Sequence, residues 1–509
     1  MCCAGHYPKE TFPARRRWSQ RSHPNHFPRH SGRSALTRCF GTGLAAAELA
    51  FPCHDQRQPL KKDNPCLMNF IENFWHMTGT NYSAASLGKR FAAGMSWTVA
   101  GTLLRQAANF AVGIYIARIL GIAEFGKLAV IQSTMLMVAG FGQAGIGLSA
   151  TKHIATLRAS DQVRTGSIIG FTLVFTGISA SAICLLLVLF SSQIESAILP
   201  GSRISTELKL SGIWILFELI SLVQLRILAG LEAFHGSAKV NLWQSIFLLP
   251  IAVVGASWAG LKGTVIALAL ISLLSCIVGQ WVLEKECSRF GITIGYRNIW
   301  REKGMLRMSS MVWLSSIAMN TTTWFVGILL ARQPLGIYQF GLYNAAGRFQ
   351  NILLFLPMRI FEVSIPVLSN LQAEGNQSGF RKFMVYAGSI TFAFSVLGSM
   401  VMVLFSDRLM SWYGTDFAQG ANVLNYVAVG CIASSVWTVA SAGLWAAEKS
   451  RQMLLLDLLR GSILVVLCLA GMASSAVALT MAQIASYAIS VLFLLFVLFR
   501  YVRRPWPQK

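Results

Sequence analysis

The chain has 509 residues, 54% of them hydrophobic and only 12% charged, with a mean hydropathy of +0.55. Soluble domains carry about 25% charged residues, so a water-soluble fold is excluded. The formal net charge is +23. The basic residues lie at the ends of apolar segments and in an N-terminal tract, not in a stripe on one face, which excludes a nucleic-acid-binding surface.

Residues 1–88 come first and differ from everything after them. They are rich in Arg, His, Pro and Cys, as in Arg15-Arg16-Arg17 and His23-Pro24-Asn25-His26. No apolar run here is long enough to span a bilayer, so no signal anchor is expected. A transit peptide fits poorly, because Pro and His suit an amphipathic helix badly. A misassigned start fits better, with Met68 or Met77 as alternative starts. A basic, disordered leader is the expectation.

From residue 91 onward, apolar segments of roughly 20 residues succeed one another, the length that crosses ~30 Å of hydrocarbon. Twelve spans are predicted: 92–118, 127–150, 166–190, 208–231, 239–260, 263–284, 307–331, 338–367, 383–406, 420–446, 452–471 and 474–499. They lack strict alternation and exceed strand length, so they read as helices and not as a barrel. The expected organisation is an N-terminal six-helix bundle (89–285), a basic linker (286–306), a C-terminal six-helix bundle (307–500) and a basic tail (501–509).

Loop charge predicts the orientation. With the N-terminus cytoplasmic, the inward connections hold Lys152, Arg158, Arg164, Lys239, Lys285, Arg289, Arg297, Arg301, Lys303, Arg307, Arg381, Lys382, Lys449 and Arg451. The tail adds Arg500, Arg503, Arg504 and Lys509. The outward connections hold Arg118, Lys127, Arg203, Lys262, Arg332 and Arg408. This asymmetry places both termini inside. The ten cysteines form no CxxC or Cys/His metal spacing, and no metal is expected.

One phrase occurs twice. Ala117-Arg118-Ile119-Leu120-Gly121-Ile122-Ala123-Glu124-Phe125-Gly126 matches Ala331-Arg332-Gln333-Pro334-Leu335-Gly336-Ile337-Tyr338-Gln339-Phe340-Gly341, with one extra residue in the second copy. The first copy joins spans 1 and 2 and the second joins spans 7 and 8. Six helices separate them, an even number, so the halves are parallel repeats about an axis along the membrane normal. The turns themselves are expected to be structural, lying near the hinge of each bundle.

Ionisable residues inside spans need a reason, since a mid-bilayer charge costs about 2.5–3.5 kcal/mol on insertion scales. Arg105 in span 1 and Arg348 in span 8 have no acid nearby in sequence. They are the leading ligand candidates, because a guanidinium makes bidentate bonds to phosphate. An interhelical bond is the structural alternative. Gln106 and Asn109 extend the polar stripe around Arg105, and the repeat aligns them with Asn320 and Thr323. Arg226 and Arg460 are weaker candidates: Arg226 can snorkel, and Arg460 can pair with Asp457, as Arg359 can with Glu362. Glu218 is a lone acid in span 4 and a candidate coupling site for a proton or sodium ion. Pro250, Pro357 and Pro366 are expected to kink spans 5 and 8.

Gly94-Met95-Ser96-Trp97, the first copy of the doubled phrase, Gly142-Gln143-Ala144-Gly145-Ile146-Gly147, Thr151-Lys152-His153-Ile154-Ala155 and Pro366-Val367-Leu368-Ser369 carry a family resemblance. Over residues 91–500 the chain resembles the polysaccharide transporters, the Wzx-type oligosaccharide and O-antigen flippases of the MOP superfamily. The resemblance implies the MATE-like fold, all-α and integral to the membrane, with twelve transmembrane helices in two parallel six-helix bundles. It also implies a substrate, undecaprenyl-pyrophosphate-linked oligosaccharide moved to the outer leaflet for surface polysaccharide biosynthesis. Membrane lipids, a polysaccharide polymerase and glycosyltransferases are the implied partners, and the inner (plasma) membrane the implied location.

Two other classes are weighed against this. A drug or cation exporter of the same superfamily needs buried carboxylates, which are few here. A membrane-embedded glycan-processing enzyme needs a general acid or base at a wet surface. After residue 88 the only histidines are His153 and His235, both in short connections, so no enzyme is expected. No cofactor is expected beyond a coupling proton or sodium ion.

Overall fold

The computed structural model describes residues 85–143, 145–296 and 310–503. All but the last four residues of the expected leader, part of the linker and most of the basic tail lie outside them. Within the described residues every regular element is a helix.

Eight helices are long and apolar enough to cross a membrane, and a bent pair, Gly336–Leu353 with Phe355–Ala373, makes a ninth crossing. Two helices are each too long for one crossing: Phe234–Arg289, already counted once among the eight, and Ala85–Gln143, which is not among them. Phe234–Arg289 has 56 residues, or about 84 Å at 1.5 Å per residue. It breaks at Ala259 and Gly260 and folds back, bringing Gly255 against Gly263 and Ala267. Ala85–Gln143 breaks at Gly121, which adopts φ 72°. Residues on both sides of that break, Phe110 and Phe125, pack on the same Tyr413 ring, so this helix also doubles back. Counting each of these as two passes, the described residues make twelve. The chain is an all-α, multi-pass membrane protein.

Three boundaries differ from expectation. Span 2 ends at Gln143, and a separate helix, Ile146–Leu157, follows it. Span 6 runs on to Arg289, into the segment expected as linker. Span 8 bends by 47° between Leu353 and Phe355, four residues before Pro357, whose ring crowds the carbonyl at i−4. Pro250 and Pro366, by contrast, sit inside helices with no non-helical residue recorded at either.

The core explains how the halves associate. One cluster unites both bundles at the end carrying the doubled turns, from Ile116, Ile122 and Phe125 to Phe340, Tyr413 and Phe417. At the opposite end each bundle has its own core. One is built around Ile154, Ile227 and Leu283, the other around Phe380, Leu444 and Leu494. The bundles therefore share one core at the repeat end, while at the other end each has a core of its own. Small residues let the helices approach, as expected where lipid removes any hydrophobic drive between them.

The two copies of the turn solve the same reversal differently. In the first, Gly121 takes the left-handed conformation. In the second, the extra residue shifts that role to Leu335, with φ 59° and 80% of its surface exposed. A left-handed non-glycine residue costs roughly 1–2 kcal/mol, partly offset by the entropy glycine loses on folding. Leu335→Gly should therefore raise stability by about 0.5–1 kcal/mol. A thermal-unfolding midpoint below that of the unsubstituted protein would contradict this.

Candidate functional site

The interface between the bundles is built from spans 1 and 2 on one side and spans 7 and 8 on the other. Along one edge spans 2 and 7 stay together. The Trp324 indole donates to Thr134 Oγ1 at 3.1 Å and the Trp313 indole to the Gly140 carbonyl at 3.0 Å. Gly140 is needed there, because a Cβ would stand 2.9 Å from Asn320 Nδ2. Along the other edge span 8 meets span 1 only through its first half. Its second half, Phe355–Ala373, bends away and packs mainly on spans 9 and 10.

Arg348 sits where that bend begins to part the two helices. Its guanidinium carbon and Nε lie 3.6 Å from where a Cβ on Gly113 would stand, and Nη2 donates to Gln132 Oε1 at 3.1 Å. That neutral amide is its one hydrogen-bond partner among the described residues. Beside it, Gly347 has open space where a side chain would be, and Asn351, one turn on, is exposed. An exposed polar group in mid-span needs water or another polar group, since lipid would leave it unsatisfied.

Arg105 lies on the same face of span 1. Residues 105, 109 and 113 are spaced four apart on span 1, so Arg105 stands about 12 Å below Gly113 along the axis. Asn109 Nδ2 donates to the Arg105 carbonyl at 2.9 Å. Arg105 Nη1 reaches Asn241 Oδ1 of span 5 at 3.4 Å, a long bond to a neutral acceptor. Neither arginine has a carboxylate within ion-pair distance among the described residues. Span 1 thus carries a row of Arg105, Asn109 and Gly113, the last covered by Arg348.

The other predicted residues divide. Gln106 is half-buried one position along span 1, and Asn320 faces Gly140 across the bundle interface. Thr323 is exposed on span 7. Arg226 is exposed at the far end of span 4, its stem on Gly147 and its carbonyl accepting from Thr151 Oγ1 at 2.8 Å. That position is distant in sequence and packing from the span 1 row.

Arg460 does not pair with Asp457. Its guanidinium lies 4.4 Å from the Tyr487 ring centroid and 5.3 Å from that of Trp437, and Nη2 approaches Met319 Sδ at 3.2 Å. Asp457, buried, accepts from the Ser315 hydroxyl instead. Two rings and a thioether hold Arg460 inside the C-terminal bundle. Arg359 and Glu362 do pair, at 2.7 Å. Glu218 accepts a 2.7 Å hydrogen bond from Ser272 Oγ, a neutral partner on span 6. Among the described residues no group of three or more His, Cys, Asp or Glu could hold a metal.

Several residues of the site were not legible in the sequence. Gln132 and Asn241, the partners of the two arginines, are amide side chains in apolar spans, and that polarity was the available signal. Tyr413 had none, as it falls in a connection. It is fully buried, its hydroxyl has no hydrogen-bond partner among the described residues, and it lies within electrostatic reach of Arg348. With Phe110, Phe349 and Phe417, at centroid distances of 6.4, 5.9 and 5.7 Å, it roofs the site on the repeat side.

A family model described as "Polysaccharide biosynthesis protein" matches residues 91–372, more than half of the chain. No curated relative matches it. Among solved structures, an inward-facing multidrug resistance MATE transporter of the MOP superfamily is similar with a TM-score of 0.66 at 14% identity, over 78% of this chain and 95% of that one. An outward-facing MATE transporter gives 0.61 at 15% identity, over 80% and 94%. A MOP superfamily transporter from Pyrococcus furiosus, described as having a binding pocket of reverse polarity, gives the same values: 0.61, 15%, 80% and 94%. At these identities the likeness establishes the fold.

Proposed function

From the premise that this chain belongs to the polysaccharide biosynthesis protein family and is a membrane transporter of the MOP superfamily, we propose that it flips a lipid-linked oligosaccharide. The substrate is undecaprenyl-pyrophosphate-linked glycan, carried from the cytoplasmic to the outer leaflet of the inner membrane. The repeat end faces outward and both termini face the cytoplasm, following loop charge.

The observation that carries this reading is the pair of arginines without acidic partners among the described residues: Arg105 on span 1, bonded to Asn241 of span 5, and Arg348 on span 8, bonded to Gln132 across the bundle interface. A cleft with fixed positive charge attracts anionic cargo. Pyrophosphate offers the oxygens that guanidiniums on two different spans can engage in succession. Gln106, Asn109, Asn320 and Thr323 would meet the sugar. Span 8 bends away from span 1, so the polyprenyl tail can stay in lipid while the headgroup enters. Rocking of the bundles then presents the site outward, with Glu218 as a candidate for coupling to a proton or sodium ion.

The drug-exporter alternative is weakened by the acids. Glu218, Glu362 and Asp457 each already engage a neighbouring side chain. Whole-cell drug susceptibility separates the two readings.

Arg105→Ala and Arg348→Ala, made singly, should each lower surface-glycan display in a flippase-null host at least about tenfold, the loss of one bidentate charge-assisted contact. Full display from both variants at normal protein level would overturn the assignment.

A further inference from the structure

We propose that the doubled Ala-Arg…Phe-Gly turn is the outer gate of the transporter. Arg118 and Arg332 are its two pseudo-symmetric latches, and opening them uncovers Arg348. The inference rests on the orientation proposed above.

Each copy of the motif places its arginine across the bundle interface. Arg118, at the end of span 1, donates from Nε to the Trp412 carbonyl of the C-terminal bundle at 2.6 Å. Arg332, its counterpart at the end of span 7, donates from Nε to the Ile198 carbonyl at 3.2 Å and from Nη2 to the Ala197 carbonyl of the N-terminal bundle. Both acceptor sets are helix C-termini: Ala197 and Ile198 end span 3, and Trp412 caps the short helix Ser406–Ser411. Terminal carbonyls lack intrahelical donors and carry the negative end of the helix dipole. A guanidinium suits them, and only while the bundles are together.

The glycines of the motif repeat the same symmetry. A Cβ on Gly126 would collide with the Ile337 carbonyl, and one on Gly341 would stand 2.7 Å from the Ile122 carbonyl. Gly126 and Ile337 thus exchange places with Gly341 and Ile122. Such reciprocity is what a two-fold contact between repeats requires. It is a direct backbone crossing of the two halves on their shared axis.

Beneath the crossing lie Tyr413 and Phe417, which come from the same connection as the Trp412 carbonyl. Tyr413 packs on Phe110 and Phe125 of span 1 and span 2, and on Phe349 next to Arg348. Release of Arg118 from Trp412 frees the residue adjacent to Tyr413, so the latch and the roof over Arg348 move as one. The buried tyrosine hydroxyl, without a partner in the closed state, gains water when the roof lifts.

The test needs no substrate. Ala345 is fully buried on the face of span 8 that also carries Gly341 and Arg348, so Ala345→Cys reports opening of the crossing. Intact cells are treated with a membrane-impermeant maleimide, and labelling of the protein with its native cysteines only is subtracted. Arg118→Ala and Arg332→Ala should each raise outside labelling of the reporter roughly threefold to tenfold. Arg118→Lys and Arg332→Lys, which keep a donor, should stay nearer the baseline.

Unchanged labelling in both alanine variants overturns the gate. Equal labelling of lysine and alanine variants assigns the effect to a lost fold and also overturns it. Labelling that rises only in inside-out vesicles overturns the outward assignment. A responsive reporter alongside a fully active Arg348→Ala variant would sink the ligand reading alone, and a flat reporter alongside an inactive Arg348→Ala variant the gate alone.

Discussion

Gly126→Ala is expected to yield a folded protein that no longer closes its repeat end and no longer transports. The added methyl meets the Ile337 carbonyl, which belongs to the other bundle. Overpacking of a tight contact costs about 1–3 kcal/mol. The cost is present only when the bundles are together, so it shifts the closed–open equilibrium by roughly 5- to 150-fold toward open. Glycan display should fall, while protein level and thermal stability stay near normal. Outside labelling of the Ala345→Cys reporter should rise more than in either latch variant. A variant that unfolds, or that transports normally, would count against the crossing as a contact formed and broken in each cycle. Gly341→Ala should behave alike, since Gly341 faces Ile122 in the mirror position.

Gly263→Ala gives the opposite pattern. Here the methyl meets the Gly255 carbonyl across the hairpin of spans 5 and 6, inside one bundle. No rocking of bundles separates these two helices, so no conformation relieves the clash. The expected outcome is a loss of about 1–3 kcal/mol of stability, read as a lower unfolding midpoint and a reduced protein level, with the reporter at Ala345 unchanged. An unaltered midpoint would show that the hairpin can slide, and the assigned packing would be wrong. The contrast matters because the two glycines look equivalent by contact alone. Which helices the clash divides decides whether it traps a state or damages the fold.

Much of the architecture was legible because membrane folds are written in apolar length. The twelve spans follow from runs long enough to cross ~30 Å, and the parallel halves follow from one repeated phrase six helices apart. Boundaries were less legible where a reversal is made by two or three residues. At Gly121 and at Ala259-Gly260 helix runs into helix with almost no polar connection. The bend in span 8 was anticipated from Pro357, whereas Pro250 and Pro366 lie inside helices with no recorded break, because neighbouring groups can satisfy carbonyls that a proline frees.

The candidate site divides in the same way. Arg105 and Arg348 stood out because an intramembrane charge without an acidic partner in sequence is costly anywhere. The sequence could not show which of the four candidate arginines share a surface. Arg460 has the same chemistry as Arg348, yet Tyr487, Trp437 and Met319 enclose it within one bundle. Asp457, expected to pair with it, takes the Ser315 hydroxyl instead.

By itself, then, the sequence determined an all-α membrane protein of two parallel halves with unneutralised charge in spans 1 and 8. Composition and periodicity are local properties, and these conclusions need nothing more. Only the tertiary structure decided what the repeated turn touches. The partners of Arg118 and Arg332 are backbone carbonyls 294 and 134–135 residues away. A carbonyl carries no side-chain identity for sequence to display. The same holds for Gly126 and Gly341, each facing the other half's backbone. A contact made by backbone across a pseudo-symmetry axis leaves only the glycine and the arginine as its trace, and those two residues are what the chain repeats.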